Sequence, residues 1–140
     1  MANRTSDVTD VMIVGAGPAG LSCATVLSRL LWRTVIFDSR EFRYSESKHF
    51  HMVPGYDHQS LLKYIGDIRR DLTTRYKTNT FVNAKATQIE KLSEGEYTGL
   101  FRITDANGQQ WLGRKVVLAI GNVERFPDIP GYEDCWIKGM

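Results

Sequence analysis

The sequence has 140 residues, 42% of them hydrophobic and 24% charged. That gives one globular domain, or part of a larger one, room for a core and excludes a second domain of ordinary size. No uncharged stretch is long enough to span a bilayer, so no membrane partner is expected, and a net charge of +2 is too mild to argue for a nucleic acid.

The opening "MANRTSDVTD" is polar and lacks the apolar core of a signal peptide. Residues 1–9 therefore read as a tail, and the cytoplasm is the default location. An apolar run at 11–14 breaks into the glycines of "GAGPAG", after which Leu21, Ala24, Leu27 and Leu31 recur at helical spacing. The pattern is strand, tight turn, helix. Residues 34–38, "TVIFD", are β-branched and apolar throughout, as in a strand buried on both faces of a parallel sheet. Residues 1–38 thus contain a βαβ unit.

Residues 39–60 are polar and aperiodic, which predicts a long loop of the kind that carries function or stays disordered. A helix follows, with Leu61, Ile65, Ile68 and Leu72 on one stripe. Its Arg69 and Arg70, together with Arg75 and Lys77, read as a solvated face because Asp67 and Asp71 interrupt them. Farther on, Asn107 and Gly108 lie between two strand-like runs and predict a hairpin turn. Residues 115–119 read as another buried strand, and residues 127–140 as a connector rich in proline and glycine. Trp32, Trp111 and Trp136 are scattered, with no basic groove around them.

The glycine pattern carries the chemistry. Gly15 allows the turn, Gly17 lets the backbone approach a pyrophosphate, and Gly20 lets helix and strand pack closely. Pro18 at the helix start gives up an N–H that the helix does not use, while the free N–H groups and the positive end of the helix face the phosphates. Asp38 ends the next strand, close to the distance of about 20 residues at which an acid bonds a ribose, and its charge opposes an NADP 2′-phosphate. The spacing leaves FAD and NAD both open. Cys23 and Cys135 make neither a CxxC nor a metal-ligand spacing, and no metal site is expected.

The segments "DVMIVGAGPAGLSCA", "VIFDS", "SKHFHMVPGYD", "VVLAIGN" and "FPDIPGYEDCWIKG", in that order, resemble the FAD-binding N-terminal part of thioredoxin-reductase-like flavoproteins (class-II pyridine nucleotide-disulfide oxidoreductases). The likeness is greatest to the fungal branch of dithiol oxidases and related enzymes of secondary metabolism, and it covers nearly the whole chain from Asp10. The resemblance implies an α/β Rossmann-like fold, a parallel sheet with flanking helices plus a β-hairpin or meander, spanning residues 10–126. It implies FAD as cofactor, with Gly15, Gly17, Pro18, Ala19 and Gly20 at the pyrophosphate and Asp38, Ser39 and Arg40 at the adenosine ribose. His51, more than His49, would stand beside the flavin. Ala119 and Gly121 would supply backbone contacts, in a turn where Ile120 replaces the family's threonine.

The resemblance also implies a small-molecule or dithiol substrate and a redox cysteine pair that this chain lacks. The connector at 127–140 would lead toward an absent NADPH domain carrying that pair, so a truncated chain is expected. A homodimer, or a second chain that completes the FAD domain, are the open alternatives for partners. The competing functional readings are a catalytically inactive remnant or accessory subunit and an ordinary NAD-binding module. Cys23 reads as a small core residue, and Cys135 as a single thiol without the partner that dithiol exchange needs.

Overall fold

The computed structural model describes residues 8–43, 47–49 and 51–136. The start of the N-terminal tail and residues 137–140 of the connector lie outside them. Among the described residues the strands form one six-stranded sheet of order β3-β2-β1-β6-β5-β4. β1 (Val8–Val14), β2 (Thr34–Phe37), β3 (Asn79–Val82) and the long β6 (Gln110–Leu118) run parallel. β4 (Ala86–Lys91) and β5 (Phe101–Asp105) join β6 in an antiparallel meander. This is the parallel sheet with added meander that the sequence predicts.

Side chains alternate across the sheet. On one face Val11, Ile13 and Ile36 pack with Leu21 and Ala24 of α1 (Pro18–Arg29) and Leu61, Ile65 and Leu72 of α2 (Leu61–Arg75). On the other, Met12, Val35 and Phe37 pack with Val82, Ala84 and Ile103. Trp111 meets Phe37 edge to face at 6.0 Å between ring centroids. With both faces covered, residues 11–14 of β1 and 35–37 of β2 are continuous apolar runs, and each fully buried large side chain contributes about 1.5–3 kcal/mol.

Four expectations change in detail. β1 begins at Val8 rather than at the apolar run, because Val8 and Thr9 pair with Leu112 and Gly113. α1 ends at Arg29, so Leu31 does not continue its apolar stripe. Instead Leu31 adopts φ 60°, with its N–H bonded to Ser28 O and the Trp32 N–H to Leu27 O. That is a Schellman cap, with leucine where glycine is usual. β6 is not buried on both faces: Arg114, Lys115 and Leu118 are exposed. The connector, finally, folds a short helical turn, α3 (Tyr132–Cys135), against which Phe126 and Trp136 gather.

The loop at 39–60 is as long as predicted, with no helix among its described residues. Its Phe42, Val53 and Tyr56 pack on the core, which ties an otherwise polar segment to the domain. α2 starts where the Ser60 hydroxyl accepts the Lys63 N–H at 3.1 Å, an N-cap. The Asn107, Gly108 turn forms as expected, and Asp105 organises it: Oδ1 accepts the N–H groups of Asn107 (2.9 Å) and Gln109 (3.0 Å), and Oδ2 accepts Trp111 Nε1 at 3.0 Å.

Candidate cofactor site

Strand β1 runs straight into the glycine turn. Gly15 has φ 107°, and a Cβ there would lie 2.3 Å from the Ala119 carbonyl oxygen. A Cβ on Gly20 would lie 1.9 Å from the Gly15 oxygen. These two glycines are fixed by the packing of the turn against β6 and α1. Gly17 differs: its φ is −75° and nothing lies within 4 Å of a Cβ built on it. The space beside it is open.

Gly17 caps α1 without any side-chain hydrogen bond, and no acidic residue stands in the first turn. The first intrahelical bond runs from Leu21 N–H to Gly17 O. Ahead of it the N–H groups of Ala19 and Gly20 lie where a helix has no partner of its own to give them. Pro18 has no N–H. The result is a helix N-terminus with no acidic or capping side chain and with open space beside Gly17, which is what an anion needs.

The other sequence-selected residues arrive at the same edge of the sheet. Register pairs Val14 with Phe37 on one side and with Leu118 on the other, so Gly15, Asp38 and Ala119 follow the carboxyl ends of three adjacent parallel strands. The backbone ties them: Gly15 N–H bonds Phe37 O at 3.0 Å, Ala119 N–H bonds Val14 O at 2.8 Å, and Asp38 N–H bonds Val82 O at 2.8 Å. The direction of connection reverses at β1, between β2 and β6. In open α/β sheets ligands bind at such a point. Gly121 follows Ala119 with φ 64°, exposed beside Ile120.

Asp38 is more enclosed than its sequence position suggests. Its side chain is 1% exposed. Oδ1 accepts the Arg40 N–H at 3.0 Å, and Oδ2 faces Arg40 Nε at 3.1 Å and the Arg69 guanidinium. Arg40 holds φ 63°, which turns its side chain back over the carboxylate. Arg69 also donates to Asn83 Oδ1 at 2.6 Å and lies over the Phe81 ring at 4.3 Å. Burial, above all, and the neighbouring Arg40 lower the Arg69 pKa, while Asp38 opposes them. The solvated face predicted for α2 therefore loses Arg69, which points inward. Two guanidiniums on one carboxylate also remove the reason to expect Asp38 to repel a 2′-phosphate, because the group as a whole is positive. Ser39 remains exposed beside it.

His51 and His49 are both exposed on the loop. The contacts of His51 are with two residues that sequence reasoning passed over: Asp57 Oδ1 lies 3.3 Å from its Nδ1, and the His58 ring meets it edge to face at 4.5 Å. The Met52 N–H, foremost, and the two imidazoles hold the Asp57 carboxyl below the usual carboxylate range, against the effect of burial. Cys23 packs at the rim of the core, where burial pushes its thiol pKa up. Cys135 is exposed, and both thiols are free.

Residues 9–140 match the model of the pyridine nucleotide-disulphide oxidoreductases. The chain belongs to this family. Thioredoxin reductase aclD of Aspergillus oryzae is 42% identical over 132 residues, 94% of this chain and 40% of that protein. Thioredoxin reductase sirT of Leptosphaeria maculans is 38% identical over 92% of this chain and 38% of that protein. Among solved structures, HlmI superposes with a TM-score of 0.82 at 30% identity, covering 94% of this chain and 40% of that one. A thioredoxin reductase TrxB from Bacillus anthracis superposes with a TM-score of 0.81 at 29% identity, covering 86% and 39%. The chain thus spans about 40% of the length of relatives such as aclD, and its fold is the Rossmann-like one of these flavoproteins.

The residues present suit the dinucleotide cofactor of a flavoprotein at its diphosphate end. The cradle at Gly17 is open, no acidic or capping side chain stands in the first turn of α1, and two arginines stand at the end of β2. Arg69 and Asn83 are the site residues that sequence reasoning missed. Asn83 carries no local signal, and that of Arg69 is its place four residues after Ile65 and three before Leu72, at the edge of the apolar stripe of α2.

Proposed function

We propose that this chain binds FAD for a thioredoxin-reductase-like oxidoreductase, of the kind that acts on a dithiol or another small molecule in fungal secondary metabolism. The observation that supports it is the bare N-terminus of α1, opening at Gly17 onto the carboxyl ends of β1, β2 and β6. The backbone N–H groups of the glycine turn hold the diphosphate, and the space beside Gly17 lets it approach. Asp38 serves the adenosine ribose once Arg40, whose side chain is 60% exposed, swings off its outer oxygen. Ala119 and Gly121 line the third side through their backbone. When bound, the flavin supplies the two-electron chemistry, and the protein's part is to bind and orient it.

The thiols of this chain do not supply a redox pair. Dithiol exchange needs an attacking and a resolving sulfur within bonding reach of each other. Cys23 sits on α1 and Cys135 on α3, and each is a free thiol. Substrate oxidation is therefore assigned to the flavin and to groups other than these two cysteines.

The test is a titration with FAD, and separately with NADH, of the unaltered chain and of Gly17→Glu. At φ −75° a glutamate fits the backbone and suits a helix start, so the variant keeps its stability. Its carboxylate meets the diphosphate, however, and FAD binding falls by about 100-fold or more, equivalent to about 2.7 kcal/mol. Tight binding of NADH with none of FAD, or a Gly17→Glu chain that binds FAD as before, overturns the reading.

A further inference from the structure

We propose that His51, Asp57 and His58 form a binding site for a divalent transition-metal ion, zinc by the chemistry of its donors. The three residues lie on the loop between β2 and α2, apart from the glycine turn. His51 Nδ1 stands 3.3 Å from Asp57 Oδ1, and His58 Nε2 stands 3.5 Å from Asp57 Oδ2. The three potential ligand atoms all lie within 4.8 Å of one another. Donors that share one tetrahedral zinc at about 2.0–2.2 Å are themselves about 3.3–3.5 Å apart. The two separations run to different oxygens of the one carboxylate, so the set takes a single ion once ring rotation brings both imidazole nitrogens to a shared oxygen, which the exposure of all three side chains permits.

The backbone brings the three groups together across a five-residue turn. Asp57 Oδ1 accepts the Met52 N–H at 3.1 Å, and the left-handed conformation of His58, φ 58°, directs a side chain adjacent in sequence to Asp57 back toward the same point. Two imidazoles and a carboxylate suit zinc and disfavour the all-oxygen ions calcium and magnesium. Three protein ligands leave one position of the tetrahedron for water. The cluster is exposed, so an ion enters from solvent without any rearrangement of the core.

The experiment is calorimetric titration of the chain with zinc chloride in a Cys135→Ser background, which takes the exposed thiol out of the competition. One zinc per chain is expected. Asp57→Asn and His58→Gln should each weaken it by about 10-fold to 100-fold or more, and His49→Gln should leave it unchanged. No uptake, or equal affinity in the Asp57 and His58 variants, overturns the proposal. A second readout needs no ligand variant: zinc should protect His51 and His58 from diethyl pyrocarbonate while His49 continues to react. Equal modification of all three histidines with and without zinc also overturns it. Neither readout requires flavin.

Discussion

Asp38 shows how much a single side chain depends on its neighbours. A carboxylate that is 1% exposed is costly unless it is paired, and removal of one partner from a buried pair leaves the other charge without compensation. Arg69 is that partner, and Arg40 shares the load from the more exposed side. Arg69→Met should therefore destabilise the chain by about 1–3 kcal/mol, less than the loss of a sole partner. In an Asp38→Asn background the same substitution should cost much less. A double-mutant cycle in urea measures the difference, and additive effects would show that the pair is not coupled. Arg69 also explains a limit of sequence reasoning. Neighbouring aspartates made it look like one more solvated charge, and only the packing of α2 beside β2 and β3 shows that it reaches the end of the sheet.

At the scale of an element, the β5–β6 hairpin is held by a side chain as well as by its ladder. Burial alone would raise the Asp105 pKa, but hydrogen bonds from Trp111 Nε1, Gln109 N–H and Asn107 N–H outweigh it and hold the carboxyl below its usual value. A folded-state pKa below the unfolded value of about 3.9 means that the native state holds its proton less tightly. Asp105 then contributes stability above the unfolded pKa and loses it as pH falls through the lowered folded pKa. Trp111 fluorescence should report a loss of stability between pH 4 and lower values in the unaltered chain, a loss that Asp105→Asn lacks in part because its amide does not titrate. If both chains lose stability in parallel, Asp105 is not the group responsible. The turn itself was legible, because Asn107 and Gly108 have the backbone freedom that a turn requires. The carboxylate that organises it was not, because its donors are found only after the strands pair. The helix ends tell the same story. α2 announces its start with Ser60, whereas α1 stops at a leucine in the left-handed region, a place where the sequence carries no glycine to mark it.

For the whole molecule, the glycine turn, the end of β2 and the end of β6 should behave as one ligand site. Saturating FAD at about 100 times its dissociation constant adds about 2.7 kcal/mol to the folded state, which for a chain of this size raises the melting temperature by about 5–10 °C. Thermal unfolding with FAD, and with NADH as control, measures it. A shift with NADH alone would assign the site to a nicotinamide cofactor instead.

The sequence by itself determined the βαβ unit, the helix with the Leu61, Ile65 and Leu72 stripe, the hairpin, and the order of motifs that marks the family. Each of these is written in local periodicity or in glycine spacing, which depends on backbone sterics and on nothing distant. Tertiary structure decided the rest: that β6 lies beside β1 and brings Ala119 against Gly15, that Arg69 and Arg40 close over Asp38, and that His51 meets Asp57 and His58. The contacts of Ala119 with Gly15 and of Arg69 with Asp38 join residues far apart in the chain, that of Arg40 needs a left-handed backbone that no glycine marks, and the third set depends on a loop without periodicity. Such contacts are set by how strands pair and by where the core holds the loop, and no local pattern records either.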